Sequence, residues 1–401
     1  MNEIPHDKEW FETYINKCSF DDINFIKFDQ KNLSEQKELF FAGKINEPTF
    51  TYIDKKESLS SYKKELIQLQ GIIESDKSNL SVVRQAYLAK ISQQLDKVKL
   101  IEAMYRADDK KFFDTSLKLY GELKKDEMQG ALSTILKIAE HRKFSLSRNF
   151  QELVLYFEAV SSKSVSEYAV VENEATIPVD ELMKLLEEAL LEKNIDWKVR
   201  VQDEALAVHL NYGDKTIYIP RNRKVTYVEA RSIVEHEVNV HLVRHINGVR
   251  SKLLLLSVGL DHYLKGEEGL ANYKQTAVDS SLPGCINYIT VGLASGLYKN
   301  TPWNFREIFD FSKEYLSILG FSEYESAEMS WKRCLRVFRG ATGKAGSCFT
   351  RDSIYFKGFL EIKNLVKTND LEVKRFMAGK YDPSNKRHVE LLDELEIVGR
   401  S

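Results

Sequence analysis

Apolar positions recur at helical spacing through most of the first 165 residues. The stretches SLSSYKKELIQLQGIIES (58–75) and AYLAKISQQLDKVKLIEAMY (86–105) carry them every three to four positions, and no longer repeat overlies this pattern. A helical N-terminal region is therefore expected over 1–165. The segment SSKSVSEYAVVENEATIPVD (161–180) then mixes serines, acids and a proline, which breaks the period and places a domain boundary there. The remainder, 166–401, reads as a second domain.

From Val179 the pattern alternates between helix and strand. VDELMKLLEEALLEKN is amphipathic at helical spacing, whereas DWKVRVQ, LAVHLNY and KTIYIP alternate as strands do. Gly213 and Asp214 lie between the last two and predict a hairpin. A new helix opens at Thr226, whose hydroxyl stands three residues before Glu229 in the spacing of a capping box. Further helical stretches follow, punctuated by Pro302 and the glycine-rich RGATGKAGS (339–347). The expected class is α+β, mostly helical, with a small sheet beside the helix that follows Thr226.

Composition narrows the function. With 43% hydrophobic residues, a chain of 401 residues can build a real core without covalent staples. Its 58 basic and 60 acidic side chains nearly cancel, so charge gives no case for a nucleic-acid or membrane-surface binder. Cys18, Cys285, Cys334 and Cys348 lie far apart, with no CxxC pair, which argues against disulfides or a thiolate metal knot. The longest apolar run, LLLLSVGL (253–260), is too short to span a bilayer, and no leader pattern opens the chain. A cytoplasmic protein is expected. Neither GxGxxG nor GxxxxGK[ST] occurs.

The chemistry concentrates in VEHEVNVHLVRH (234–245), where three histidines and two glutamates share twelve positions. Catalytic zinc is commonly held by two histidines of HExxH, one helical turn apart, with a third protein ligand and an open position for water. Here the spacing is one residue longer: His236, Glu237, then His241. On a regular α-helix residues five apart point about 140° away from each other at 3.6 residues per turn, too divergent to share an ion. A π-type turn absorbs the extra residue, so a metal reading demands a locally widened helix. A straight helix would instead align Glu237, His241 and His245 on one face, making Glu237 a ligand. The third reading is simply a set of hydrogen-bonded histidines, and His245 fits a helix cap before Asn247 and Gly248.

About thirty residues on, DHYLKGEEGLANY (261–273) sets Glu267 and Glu268 beside a helix start. Acids there favour the helix dipole whatever else they do. They also stand where a two-histidine site would take its carboxylate ligand. Tyr263 and Tyr273 read as core side chains.

HEVNVH followed by EEGLA resembles the tyrosine carboxypeptidase family, which includes the microtubule-associated tyrosine carboxypeptidases and bacterial proteins named for a QEGLA motif. FFAGKINEPTFTY (40–52), FDTSLKLYGEL (113–123), CLRVFRG (334–340), CFTRDSIYFKGF (348–359) and FMAGKYDPSNKRHVELLDEL (376–395) extend the likeness, in order, over nearly the whole chain. The resemblance implies a zincin-like metallopeptidase with one Zn2+ per chain. His236, His241 and Glu268 fall on its metal ligands, Glu237 on its catalytic glutamate and Glu267 on a variable position. Many relatives read HEVGTH, so Asn239 and Val240 depart from the pattern within the turn that must widen.

On that basis the expected reaction is hydrolysis of a C-terminal, aromatic or tyrosine-like residue from a peptide or protein, with Glu237 as general base. Gripping a free carboxylate suits arginine. Arg339 and Arg351, with Tyr355 and Lys357, are the candidates for binding substrate, although each also reads as an ordinary structural residue. An endopeptidase or aminopeptidase would use the same ligands and base, and a non-catalytic regulatory protein could keep the scaffold. The oligomeric state is not legible.

Overall fold

The computed structural model describes residues 4–77, 81–160, 175–203, 207–279 and 284–398. Most of them are helical, and a small sheet makes the class α+β. Among the described residues, 4–160 and 284–357 form one compact unit, while 175–279 and 358–398 form another. The expected boundary at 165/166 falls outside the described residues. Residues 284–357, which sequence order attaches to the second domain, pack with the N-terminal helices, because spatial neighbourhood need not follow chain order.

In the unit built from 4–160 and 284–357, helical periodicity becomes packing directly. The Lys56–Ser75 helix buries Leu59, Leu66, Leu69 and Ile73, spaced seven, three and four apart on a single face. The Ser81–Tyr105 helix is buried on several sides, with Lys90, Gln93, Gln94, Asp96 and Lys97 enclosed among its apolar residues. Enclosed charges of this kind need partners. Asp96 is paired with Lys99 and Lys118, and Lys97 with Asp22.

The other unit contains the sheet. Its strands are β1 (Thr176–Ile177), β2 (Lys198–Gln202), β3 (His209–Asn211), β4 (Thr216–Pro220) and β5 (Val225–Thr226). β3 and β4 form the expected antiparallel hairpin, while β2 pairs in parallel with the other edge of β4, giving the order β2-β4-β3. β4 is thus central, which suits its buried Ile217 and Ile219. β1 and β5 make a separate two-stranded ribbon. The Val179–Glu192 helix covers the sheet with Leu182, Leu186, Ala189 and Leu190, and Val199, Ile217 and Ile219 meet it from below.

No helix among the described residues is long and apolar enough to cross a membrane. All four cysteines are buried free thiols.

Candidate metal centre

Thr226 starts the helix that carries the motif. Its hydroxyl accepts from the Glu229 backbone N–H, while the Glu229 carboxylate accepts from the Thr226 N–H, completing the capping box. The chain runs as α-helix over Tyr227–Ile233, as π-helix over Val234–Leu242, then as α-helix again over Val243–Val249. The widened stretch brackets HExxxH, the local shape that a metal reading of the five-residue spacing needs. Packing holds it from two sides. Val238 and Leu242 enter the cluster formed by the sheet and the Val179–Glu192 helix, and Val240 enters another with Leu270, Ala271, Ile362 and Phe376. Asn239 donates through Nδ2 to Glu235 Oε1 at 2.8 Å, leaving its own Oδ1 buried without a hydrogen bond. Val240, which stands where HEVGTH has a threonine, is fully buried in that apolar cluster.

The Leu264–Gln275 helix brings the acids to the histidines, and two glycines set its position. A Cβ on Gly266 would lie 2.6 Å from Asp382 Cα, and one on Gly269 would lie 2.3 Å from the carbonyl carbon of Gly358. Both backbone approaches require glycine. Glu267 and Glu268 stand between them, so the pinned backbone fixes where both carboxylates can reach. Their place in the sequence therefore reflects helix packing as well as the helix dipole.

The structure brings His236, His241 and Glu268 together, with one ligand atom from each within 4.8 Å of the others. Glu268 Oε2 lies 3.5 Å from His236 Nε2 and 3.6 Å from His241 Nε2. The two rings stand at 86°, with centroids 4.7 Å apart. All three side chains are largely buried, at 18%, 12% and 14% exposure for His236, His241 and Glu268. Glu268 Oε2 is buried without a hydrogen bond, an arrangement that costs free energy unless something else satisfies it. Two imidazole nitrogens and an orphaned carboxylate oxygen suit a divalent cation such as zinc.

Each ring is held by its other nitrogen. His236 Nδ1 donates to Gln275 Oε1 at 3.2 Å, and Gln275 Nε2 donates in turn to Ser232 Oγ at 3.0 Å. His241 Nδ1 donates to Glu267 Oε1 at 2.9 Å. Burial opposes the charged form of His241, but the carboxylates of Glu268 and Glu267 outweigh it and hold the imidazole pKa well above its ordinary value. Burial likewise opposes charge on Glu268 and is overcome by His241 and His236, so its carboxyl stays well below the usual range. Glu237, half-buried beside His236, makes no hydrogen bond or ion pair among the described residues.

The straight-helix set of Glu237, His241 and His245 is not assembled. His245 donates through Nδ1 to the Ser257 carbonyl at 2.9 Å and packs against Tyr212, centroids 4.4 Å apart. Nor does it cap the helix, which continues to Val249. Gly248 lies inside that helix, and a Cβ on it would meet the Leu256 and Ser257 backbone at 2.4 Å. The glycine serves close packing rather than termination. Tyr273 packs on the cluster around Val240 and Leu270, and Gly259 lies against the Tyr263 ring.

The substrate-binding candidates all belong to the unit of 4–160 and 284–357. Arg351 is paired with Asp21 at 2.7 Å and Asp22 at 2.8 Å. Lys357 donates to the Glu122 carbonyl at 2.5 Å. Tyr355 packs over Gly284. Arg339 is largely enclosed, and its Nε has no hydrogen bond; burial lowers its pKa despite the nearby Asp352 carboxylate.

Sequence reading missed the groups behind the rings: Gln275, Ser232, Arg244 and Lys380. Helical spacing offers a signal for two of them. Arg244 follows His241 by one turn, and Gln275 follows Glu268 by two.

Comparison with known proteins adds family membership. A search of curated proteins found no match. Among solved structures, the chain is similar to "The crystal structure of the putative lipoprotein from Colwellia psychrerythraea", at 12% identity and a TM-score of 0.43, covering 91% of this chain and 73% of that one. The family profile described as microtubule-associated tyrosine carboxypeptidase matches residues 37–401. That span includes the helix carrying HExxxH, the EEGLA helix and the segment behind them, and the chain belongs to the microtubule-associated tyrosine carboxypeptidase family.

Proposed function

We propose that this protein is a zinc-dependent carboxypeptidase of zincin-like type that removes an aromatic, tyrosine-like residue from the C-terminus of a peptide or protein. The family supplies the carboxypeptidase class and the terminal residue. One observation carries the metal assignment: Nε2 of His236 and of His241 converge on a buried Glu268 oxygen that has no hydrogen bond. His236, His241 and Glu268 would hold the ion. When bound, zinc would lower the pKa of water and polarise a scissile carbonyl.

The chain's own residues do the rest. Gln275 accepts from His236 Nδ1, which leaves the Nε2 of that ring facing Glu268. Glu237 adjoins a ligand in sequence and has no competing partner among the described residues. Its carboxylate is therefore available to accept a proton from the attacking water and return it to the departing amine nitrogen. The low exposure of the site limits competing water, which strengthens each of these interactions.

The test is release of the last amino acid from matched peptides ending in tyrosine, phenylalanine or alanine, each with a free or amidated C-terminus. A carboxypeptidase releases residues only from the free forms, fastest from the aromatic ones. Cleavage of amidated peptides at the same rate would instead indicate an endopeptidase or aminopeptidase.

A further inference from the structure

Glu267 is 2% exposed, yet three cationic or polar side chains converge on its carboxylate. Oε1 accepts from His241 Nδ1 at 2.9 Å and faces Lys380 Nζ at 3.2 Å, while Oε2 accepts from Arg244 Nη1 at 2.5 Å. Each of those groups is anchored elsewhere. Arg244, fully buried, donates through Nη2 to the Tyr381 carbonyl at 2.7 Å. Lys380 donates to the Tyr212 hydroxyl at 2.8 Å. The carboxylate cannot swing without leaving a buried cation unpaired, which is strongly destabilising.

We propose that Glu267 is the positioning residue for His241: clamped between Arg244 and Lys380, it accepts the hydrogen bond of the ring's Nδ1–H and turns Nε2 toward Glu268 and His236. The inference rests on the metal reading above and deepens it. Arg244 and Lys380 balance the charge of Glu267 behind the ring, so Glu268 is the carboxylate whose charge faces the ligand nitrogens. Partners of this kind fix which ring nitrogen is free for the ion, and their loss commonly weakens metal affinity 10- to 100-fold. The alternative is a buried ionic cluster that only stabilises the fold.

The two differ in what Glu267 variants do to the metal and to the ring. Zinc affinity of full-length wild type, Glu267→Ala and Glu267→Gln is measured by chelator competition, with circular dichroism as the check on folding. In the same zinc-loaded samples, labelling histidine with 15N reports the ring protons; with 8 histidines in the chain, His241 is assigned by comparison with His241→Ala. The expected result for Glu267→Ala is a loss of the protected Nδ1 proton and zinc binding weakened about 10- to 100-fold.

Glu267→Gln keeps an acceptor but must point an amide N–H₂ at Arg244 or at His241, so it should bind zinc about tenfold more weakly. If the alanine variant does not fold, the glutamine variant decides. Folded variants that bind zinc within twofold of wild type, with the ring proton unchanged, would overturn the positioning role. A wild-type protein that takes up no zinc would instead overturn the metal reading, and with it this inference.

Discussion

Gly269 and Gly358 meet backbone to backbone, with room for no Cβ on Gly269, where one would lie 2.3 Å from the Gly358 carbonyl carbon. Glu268 precedes that contact by one residue, so the crossing determines where the carboxylate sits. Gly269→Ala should strain the crossing by about 1–3 kcal/mol. Thermal melting should fall by several degrees, and zinc binding should weaken because the carboxylate is displaced. An unchanged melting temperature would mean that the crossing is looser than described.

Glu237 offers a clean separation of metal binding from chemistry. Replacing it with glutamine keeps its shape and removes its basicity, so turnover should fall by about 10²–10⁴-fold, the usual worth of a general base. Bound zinc should stay at the wild-type level, as measured by elemental analysis. Retained turnover would remove Glu237 from the proton transfer.

Val240 tests how this chain accommodates its own departure from HEVGTH. The side chain is 0% exposed among Leu270, Ala271, Ile362 and Phe376. Val240→Thr buries a hydroxyl in that apolar cluster and should cost about 1–3 kcal/mol unless the hydroxyl finds a partner. Chemical denaturation would measure the loss, and zinc stoichiometry should not change, because the valine packs into an apolar cluster and supplies no ligand atom.

Asp261 predicts an acid-sensitive contribution to stability. Burial opposes its charge, but His388 at 3.3 Å, Arg387 and nearby His262 outweigh that and lower its pKa from 3.8 to about 2. A depressed carboxyl stabilises the fold above its unfolded pKa, and the effect is lost as pH falls through the folded value. The contribution, on the order of 2 kcal/mol, should be present at neutral pH and fade between about pH 4 and pH 2. Asp261→Asn should therefore melt below wild type at pH 7, with the gap closing toward pH 2. A gap independent of pH would show that the ionised form contributes nothing.

Local signals in the sequence carried much of this description. On a metal reading, the extra residue between His236 and His241 called for a π-turn; Thr226 and Glu229 marked the helix start, and the strand pattern pointed to the β3–β4 hairpin. These are short-range properties of spacing and capping. The grouping of 284–357 with the N-terminal helices, and the parallel pairing of β2 with β4, depend on contacts between distant segments that periodicity does not encode. Lys380 is a case in point: it lies 113 positions from Glu267, and nothing around it in the chain announces a role beside His241. His245 shows the opposite error. Asn247 and Gly248 read locally as a helix stop, whereas the glycine is there to admit the Leu256 backbone.

His236, His241 and Glu268 are proposed to bind one zinc ion. Elemental analysis of the purified chain, wild type beside His241→Ala, tests it most directly. About one zinc per wild-type chain is expected, and almost none in the folded variant. Wild-type protein that remains free of zinc even after reloading would contradict it.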